Sequence, residues 1–106
     1  MAKWLYFVRT NCKDPNRESE FNDWYNKIHI PDILVGTPAF TRATRYESYG
    51  MFETPSKHLA IYEIESNDIE QTMMGHQENV GRLRAQGRMS DLTSLVAREM
   101  YVQKAT

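Results

Sequence analysis

The first apolar segment of the sequence, Lys3 to Thr10, constrains the fold more than any other feature. It is rich in aromatic and β-branched residues, which predicts a β-strand. Within it, Trp4 to Phe7 are apolar without interruption. Because the side chains of a strand alternate between the two faces of a sheet, a strand of this kind needs apolar cover on both faces.

The next segment has the pattern of an amphipathic helix. Asp14 and Pro15 form a typical helix start, with an acceptor at the N-cap and proline at the first helical position. Apolar residues then recur at helical spacing, at Phe21, Trp24, Tyr25 and Ile28. Pro31 disfavours helical geometry at the residue before it. We therefore expect a kink or pause near His29 to Ile30, a resumed turn, and an end at Gly36.

Three strands and one helix are predicted for the rest of the chain. Phe40 to Ser48 and His58 to Glu65 have strand composition, and their short connection predicts a hairpin. Asn67 begins a second helix, with Glu70 three residues later as in a capping box. Thr93 to Gln103 is the last predicted strand.

The order β-α-β-β-α-β predicts an α+β fold of the ferredoxin-like type, in a single domain spanning residues 1–106. Both helices would cover one face of a four-stranded antiparallel sheet. The other face is too apolar to meet water, and a second copy of the chain is its simplest cover. The expected assembly is thus a homodimer that forms a dimeric α/β barrel.

Composition narrows the partners. The 106 residues carry a net charge of −1, and no basic stripe that would suit nucleic acid or an anionic membrane is visible. No apolar run reaches the length of a membrane span. The single cysteine, Cys12, permits no internal disulfide, which fits a cytoplasmic protein. We expect a small organic molecule and a second copy of the chain as partners.

Three segments resemble the dimeric α/β-barrel superfamily, and in particular its EthD-like branch. Glu20 to Leu34 contains a Trp-Tyr helix that ends in a His-x-Pro-acidic segment, His29 to Asp32. Phe40 to Tyr46 and Leu59 to Glu65 are similar as well, in the same order and spacing. The resemblance implies a ligand cavity between the helices and the sheet of each subunit. It implies no single activity, because the superfamily contains cyclases, isomerases, lyases, cofactor-free monooxygenases and haem-degrading enzymes.

His29 is the first candidate for a catalytic residue. Imidazole titrates near neutral pH and suits proton transfer in both directions. Asp32 would orient the ring or hold it charged, and Tyr25 lies one helical turn earlier. From periodicity alone, a histidine that only satisfies a carbonyl at a helix end is the favoured interpretation. The resemblance favours the catalytic one.

His76 is the second candidate. It falls on the apolar face of the second helix, where a histidine is usually a core residue. If both helices cover the same sheet face, His29 and His76 would line one cavity as an acid–base pair. Tyr46 completes the catalytic candidates, as a hydrogen-bond donor to a substrate oxygen.

Aromatic residues are the candidates for the pocket wall, although core packing is the simpler interpretation of each one. They are Tyr6, Trp24, Tyr25 and Tyr62. Arg45 and Glu63 lie inside apolar strands of the hairpin, and a buried charge must be paired. An ion pair between them would be structural.

No metal or cofactor site is predicted. The three histidines lack ligand spacing, Cys12 has no partner, and nucleotide-binding motifs are missing from the sequence. The leading hypothesis is a cofactor-free lyase, isomerase or cyclase that acts on a small, partly apolar aromatic or carbonyl compound. The alternatives are a monooxygenase, cofactor-free or with haem bound near His76, and a non-catalytic binding protein.

Overall fold

A computed structural model describes residues 1–105, and all six predicted elements are present in it. The strands are β1 (Ala2–Cys12), β2 (Phe40–Glu47), β3 (His58–Ser66) and β4 (Thr93–Val102). The helices are α1 (Glu18–Trp24), α2 (Ile30–Gly36) and α3 (Ile69–Ala85). A 3₁₀ turn (Pro15–Arg17) precedes α1, and a π-helical turn (Tyr25–His29) joins α1 to α2.

The four strands form one antiparallel sheet in the order β2-β3-β1-β4. This topology confirms the predicted α+β ferredoxin-like fold. In the described part of the chain, no helix is both long enough and apolar enough to cross a membrane.

Local side-chain caps begin the helices. The Asp14 carboxylate accepts the backbone N–H of Asn16, as predicted for the first helix. At α3 the capping residue is Asp68, which accepts the N–H of Gln71, so the prediction of Asn67 as N-cap is wrong by one residue. The hydroxyl of Ser66 accepts the N–H of Asp68 and fixes the entry into this helix.

A β-bulge in β2 changes which residues face the helices. Phe40 pairs with Ile64, but the next paired residue is Arg42, opposite Glu63. The extra residue, Thr41, reverses the alternation for the remainder of the strand. As a result Arg45 points toward the helices and Tyr46 away from them.

The helices pack on one face of the sheet and enclose the core. Strand β3 alternates strictly, with every second side chain buried beneath the helices, from His58 to Ser66. Phe21 and Ile33 are fully buried against this face. The opposite face, which we call the open face, carries apolar side chains that remain partly exposed: Leu5, Phe7, Leu59, Ile61, Tyr46 and Tyr101.

Candidate functional site

The site begins with the π-helical turn between α1 and α2. The N–H of Ile30 donates to the carbonyl of Tyr25, five residues back rather than four. Pro31 has no N–H, and its ring would collide with the carbonyl four residues before it in a regular α-helix. The widened turn relieves this conflict, so the helix continues without the predicted pause, and Ile30 keeps helical geometry at φ −59° and ψ −49°.

A cavity of about 340 Å³ lies between the helices and the sheet. His29 and His76 line it from the two helical segments, so the structure brings these two candidates together. The four predicted pocket residues, Tyr6, Trp24, Tyr25 and Tyr62, also lie on its wall, and their contact with a substrate stays a prediction. The rest of the wall comprises Val8, Thr10, Val80, Arg84, Met89, Ser90, Thr93, Leu95 and Arg98.

His29 is held by aromatic contacts. Its ring stacks on Trp24 with centroids 4.6 Å apart, and it meets the edge of Tyr25 at 5.1 Å. Burial lowers the pKa of His29 to about 4, assisted by His76 and opposed by the charge of Asp32. Its buried Nδ1 has no hydrogen-bond partner among residues 1–105. The ring is therefore neutral near pH 7 and has a free nitrogen.

His76 has a similar environment on the other side of the cavity. Its ring stacks on Phe40 at 4.9 Å and meets the ring of Tyr6 at 5.7 Å. Burial lowers its pKa to about 4, and the positive charge of Arg98 adds to this effect. Nδ1 of His76 is also buried without a partner in the described part of the chain. Unpartnered buried nitrogens are costly in a structure that only has to fold, and here both belong to residues that line one cavity, which marks it as the candidate site.

The tyrosines on the wall stay protonated. Burial raises the pKa of Tyr25 to about 12 and that of Tyr62 well above its ordinary value. Burial also raises the pKa of Tyr6, against the influence of Arg98. Near neutral pH these phenols can therefore donate hydrogen bonds but carry no charge.

Asp32 does not orient the His29 ring. Both of its carboxylate oxygens accept from Arg88, Oδ2 from Nε at 2.6 Å and Oδ1 from Nη2 at 3.1 Å. Such a two-point pair suits the planar guanidinium and occupies the carboxylate. The predicted contact between Asp32 and His29 is therefore absent from the described residues, and Asp32 instead forms an ion pair that connects α2 to the segment before β4. Asp32 acts on His29 only through its charge.

Tyr46 lies away from the cavity, which corrects its prediction as a catalytic residue of the same site. It pairs with Leu59 on the open face, and 52% of its surface is exposed. The bulge at Thr41 is the physical reason, because uninterrupted alternation from the buried Phe40 would have turned Tyr46 inward.

The predicted Arg45–Glu63 pair is wrong for the same reason. Glu63 faces Arg42, with 3.6 Å between Oε2 and Nε, on the open side. Arg45 turns inward and lies over the ring of Tyr25 at 4.4 Å, where it also donates to Nδ1 of His58. It therefore supports the cavity wall from behind instead of closing the hairpin.

One group of side chains has the spacing of a metal site: Glu18, Glu47 and His58. The ammonium of Lys57 already lies 2.9 Å from Glu18 Oε1 and 4.0 Å from Glu47 Oε1. Arg45 donates to Nδ1 of His58, which leaves the proton on Nε2, the nitrogen that faces Glu18. Because the Glu18 carboxylate already accepts from Lys57 and from His58, and Nδ1 of His58 accepts from Arg45, this group does not fit a metal ion.

Haem does not fit the cavity either. About 340 Å³ is at the low end of the range for small-molecule pockets, too little to enclose a tetrapyrrole macrocycle. The haem-dependent form of the oxygenase hypothesis has no support in this geometry.

Sequence reasoning missed the two arginines on the wall, Arg84 and Arg98. Arg84 follows His76 and Val80 at intervals of four on α3, and an extension of the predicted apolar face would have included it. Arg98 pairs with Val8 in the register of β1 and β4, and it is a single charge on the helix side of an apolar strand. Both signals were present in the sequence.

Several solved structures have this fold. HapK from Hahella chejuensis aligns with a TM-score of 0.69 at 13% identity, over 97% of this chain and 94% of its own. SnoaB, a cofactor-independent oxygenase from Streptomyces nogalater, gives 0.60 at 14% identity, over 100% and 97%. An EthD family protein from Bacillus halodurans gives 0.54 at 13% identity, over 100% of both chains. The sequence matches no protein-family model and no curated protein. At these identities the likeness is one of fold, and the predicted resemblance is confirmed at that level.

Proposed function

We propose that this protein is a cofactor-free acid–base enzyme that acts on a small, partly apolar aromatic or carbonyl compound. The observation that carries the proposal is the pair of neutral, buried imidazoles, His29 and His76, that line one cavity. Functional sites are where burial and specific partners perturb pKa values most, and among residues 1–105 only Thr37, Arg45 and Thr93 also have a buried side-chain atom without a partner.

His29 is the proposed general base. Its imidazole would take a proton from carbon or from a phenolic oxygen, and the aromatic contacts with Trp24 and Tyr25 hold the ring in place. The low pKa of His29 comes from its burial among apolar groups. Negative charge that develops on the substrate stabilises the imidazolium, so the ring becomes a stronger base as the reaction proceeds.

Neutral donors would stabilise that developing charge. His76 and Tyr6 lie in edge contact, and each has an N–H or O–H that can be directed at a substrate oxygen. Donors that are fixed before the reaction, in a cavity shielded from water, stabilise a developing oxyanion more than water does. A lyase, isomerase or cyclase step would need only this proton abstraction and return.

A second candidate function is cofactor-independent oxygenation, which is favoured by the likeness in fold to SnoaB. It begins with the same deprotonation, after which the substrate anion reduces molecular oxygen. One oxygen atom enters the product and the other leaves as water. The two functions therefore share His29 and differ in whether oxygen is consumed.

Proton exchange is the direct test. Enolisable aromatic carbonyl compounds such as phenylpyruvate, benzoylacetate and acetophenone are incubated with the protein in deuterium oxide, and exchange is followed by NMR. We expect the wild type to accelerate exchange, and His29→Gln to lower that rate by about 100-fold or more with little change in affinity. Tyr49→Phe is the control, because Tyr49 is 93% exposed in the loop between β2 and β3 and does not line the cavity.

The outcomes separate the hypotheses. Oxygen uptake in an electrode during the same incubation would select the oxygenase. If no compound exchanges faster with the wild type than with His29→Gln, the acid–base proposal is overturned, and a non-catalytic binding protein becomes the better interpretation.

We also propose that the active unit is a homodimer joined through the open face. Leu5 and Tyr101 on that face are 40% and 51% exposed, and they adjoin partly exposed Phe7 and Ile61. The apolar side chains are framed by ion pairs such as Arg42–Glu63, and an apolar patch of this kind is commonly buried against a symmetric copy.

A further inference from the structure

The cavity wall has an unbalanced charge. Of the fifteen residues that line it, Arg84 and Arg98 are cationic, and none is an aspartate or glutamate. Four other arginines, Arg9, Arg17, Arg42 and Arg88, form ion pairs with carboxylates elsewhere on the surface. Within residues 1–105, neither Arg84 nor Arg98 has a carboxylate within 4.0 Å.

Arg98 lies closest to the proposed chemistry. It projects from β4 on the helix side, opposite Val8, and its charge lowers the pKa values of both Tyr6 and His76. The Arg98 side chain is exposed and has no carboxylate partner in the described part of the chain, and its charge makes His76 harder to protonate. Arg84, in the last turn of α3, adds to the same positive field.

A second polar group on the wall also lacks a partner. The hydroxyl of Thr93, at the start of β4, is buried, and its Oγ1 has no hydrogen-bond partner in the described part of the chain. Together with the two exposed guanidinium groups it gives the cavity N–H and O–H donors that no carboxylate among residues 1–105 occupies. Guanidinium groups in particular offer several N–H donors in a planar fork that fits a carboxylate.

We infer that the substrate is an aromatic carboxylic acid, whose carboxylate is bound by Arg98 while its ring contacts the aromatic wall beside His29. This inference rests on the proposed function, because it takes the cavity to be the substrate site. It adds the substrate class and assigns Arg98 as the residue that selects it, with Arg84 as a more distant contributor.

Calorimetric binding of matched acids and amides tests the inference. Benzoate, phenylacetate and cinnamate are compared with benzamide, phenylacetamide and cinnamamide, which have the same shape and no charge. We expect at least one acid to bind the wild type about tenfold or more tightly than its amide, with a preference that falls as salt is raised.

The variants assign the effect to residues. Arg98→Gln should remove the preference for the acid and leave affinity for the amide unchanged, and Arg84→Gln should reduce it by a smaller factor. Arg82→Gln is the matched control, since Arg82 is an exposed arginine on the same helix that does not line the cavity. If no acid binds more tightly than its amide, or if Arg98→Gln retains the full preference, the inference is overturned.

Binding is measured without turnover, so the two proposals fail separately. His29→Gln should keep the preference for acids while it loses proton exchange. A protein that prefers acids but catalyses no exchange would contradict the enzymatic proposal alone. A protein that catalyses exchange and binds acids and amides equally would contradict the carboxylate proposal alone.

Discussion

Nε2 of His58 lies 2.6 Å from Oε1 of Glu18, and this contact ties the start of β3 to the first turn of α1. His58 is 3% exposed, and its second nitrogen accepts from Arg45 at 3.2 Å. Since a guanidinium can only donate, the ring proton lies on Nε2, and this N–H donates a hydrogen bond to the Glu18 carboxylate. The histidine is therefore structural, and it holds Arg45 against Tyr25 at the back of the cavity.

Removal of the Glu18 carboxylate should destabilise the protein. Glu18→Ala leaves a buried N–H of His58 without an acceptor, which costs about 1–3 kcal/mol in the free energy of unfolding. Glu18→Gln retains an oxygen and should cost less. Glu20→Ala is the control, because Glu20 forms only an exposed pair with Arg17 and should change stability by less than about 1 kcal/mol. Urea unfolding measures all three, and equal losses for Glu18→Ala and Glu20→Ala would contradict the structural role.

Gly36 marks the closest approach of α2 to α3. A Cβ at this position would lie 2.2 Å from the side chain of Asn79, which is 4% exposed and donates to the carbonyl of Asp32. Gly36→Ala should therefore cost about 1–3 kcal/mol, as overpacking does. Gly81→Ala is the opposite case, because nothing lies within 4 Å of its added Cβ and alanine is the better helix former. We expect it to stabilise by up to about 1 kcal/mol. Thermal unfolding measures both variants. A change in melting temperature of the same sign for the two would contradict the close contact between Gly36 and Asn79.

The two cavity histidines predict a loss of stability in acid. Their pKa values are about 4 in the folded protein, below the ordinary 6.5, so the unfolded chain binds their protons first as the pH falls. Stability from these groups is complete above pH 6.5 and is lost progressively down to about pH 4. At roughly 1.4 kcal/mol per pKa unit, the loss is about 3 kcal/mol for each imidazole.

His76→Gln isolates this effect. The variant should show a smaller fall in the free energy of unfolding between pH 6.5 and 4 than the wild type, by about the contribution of one imidazole. Urea titrations at a series of pH values measure the difference. Parallel curves for the two proteins would show that His76 is not held neutral by burial.

A charge placed on the open face should prevent dimer formation. Leu5→Asp puts a carboxylate at the centre of the apolar face, and the variant should elute as a monomer where light scattering gives a dimer for the wild type. Val35→Asp is the control, because Val35 is 83% exposed on α2, away from that face. A wild-type protein that is monomeric at high concentration would contradict the proposed assembly.

The fold was accessible to sequence reasoning because each element has a local signal. The β-branched and aromatic composition of β3 identifies it as a strand without any knowledge of the neighbouring strands. The cap at Asp14 and Pro15 likewise depends only on adjacent residues. His29 and His76 were placed correctly on one cavity since both helices lie on the same side of the sheet.

The errors come from contacts that no local pattern contains. Asp32 and Arg88 are 56 positions apart, so their pairing depends on how α2 and the segment before β4 meet in space. Tyr46 was misplaced because one extra residue in β2 reverses the strand, and Thr41 carries no sequence signal of a bulge. The alternation of side chains along a strand therefore predicts which residues face the helices only up to the next β-bulge.

The direction in which the His29 side chain points depends on the number of residues in the π-helical turn. One deletion between Tyr25 and His29 would leave four residues for a turn that now has five, so Pro31 would again meet the carbonyl four residues before it, and His29 would shift by roughly 100° around the helix axis relative to α1. The sheet and its topology would survive such a deletion, while the imidazole would leave the cavity. Conversely, two chains with the same fold that differ by one residue in this turn would differ in whether a histidine at this place reaches the cavity.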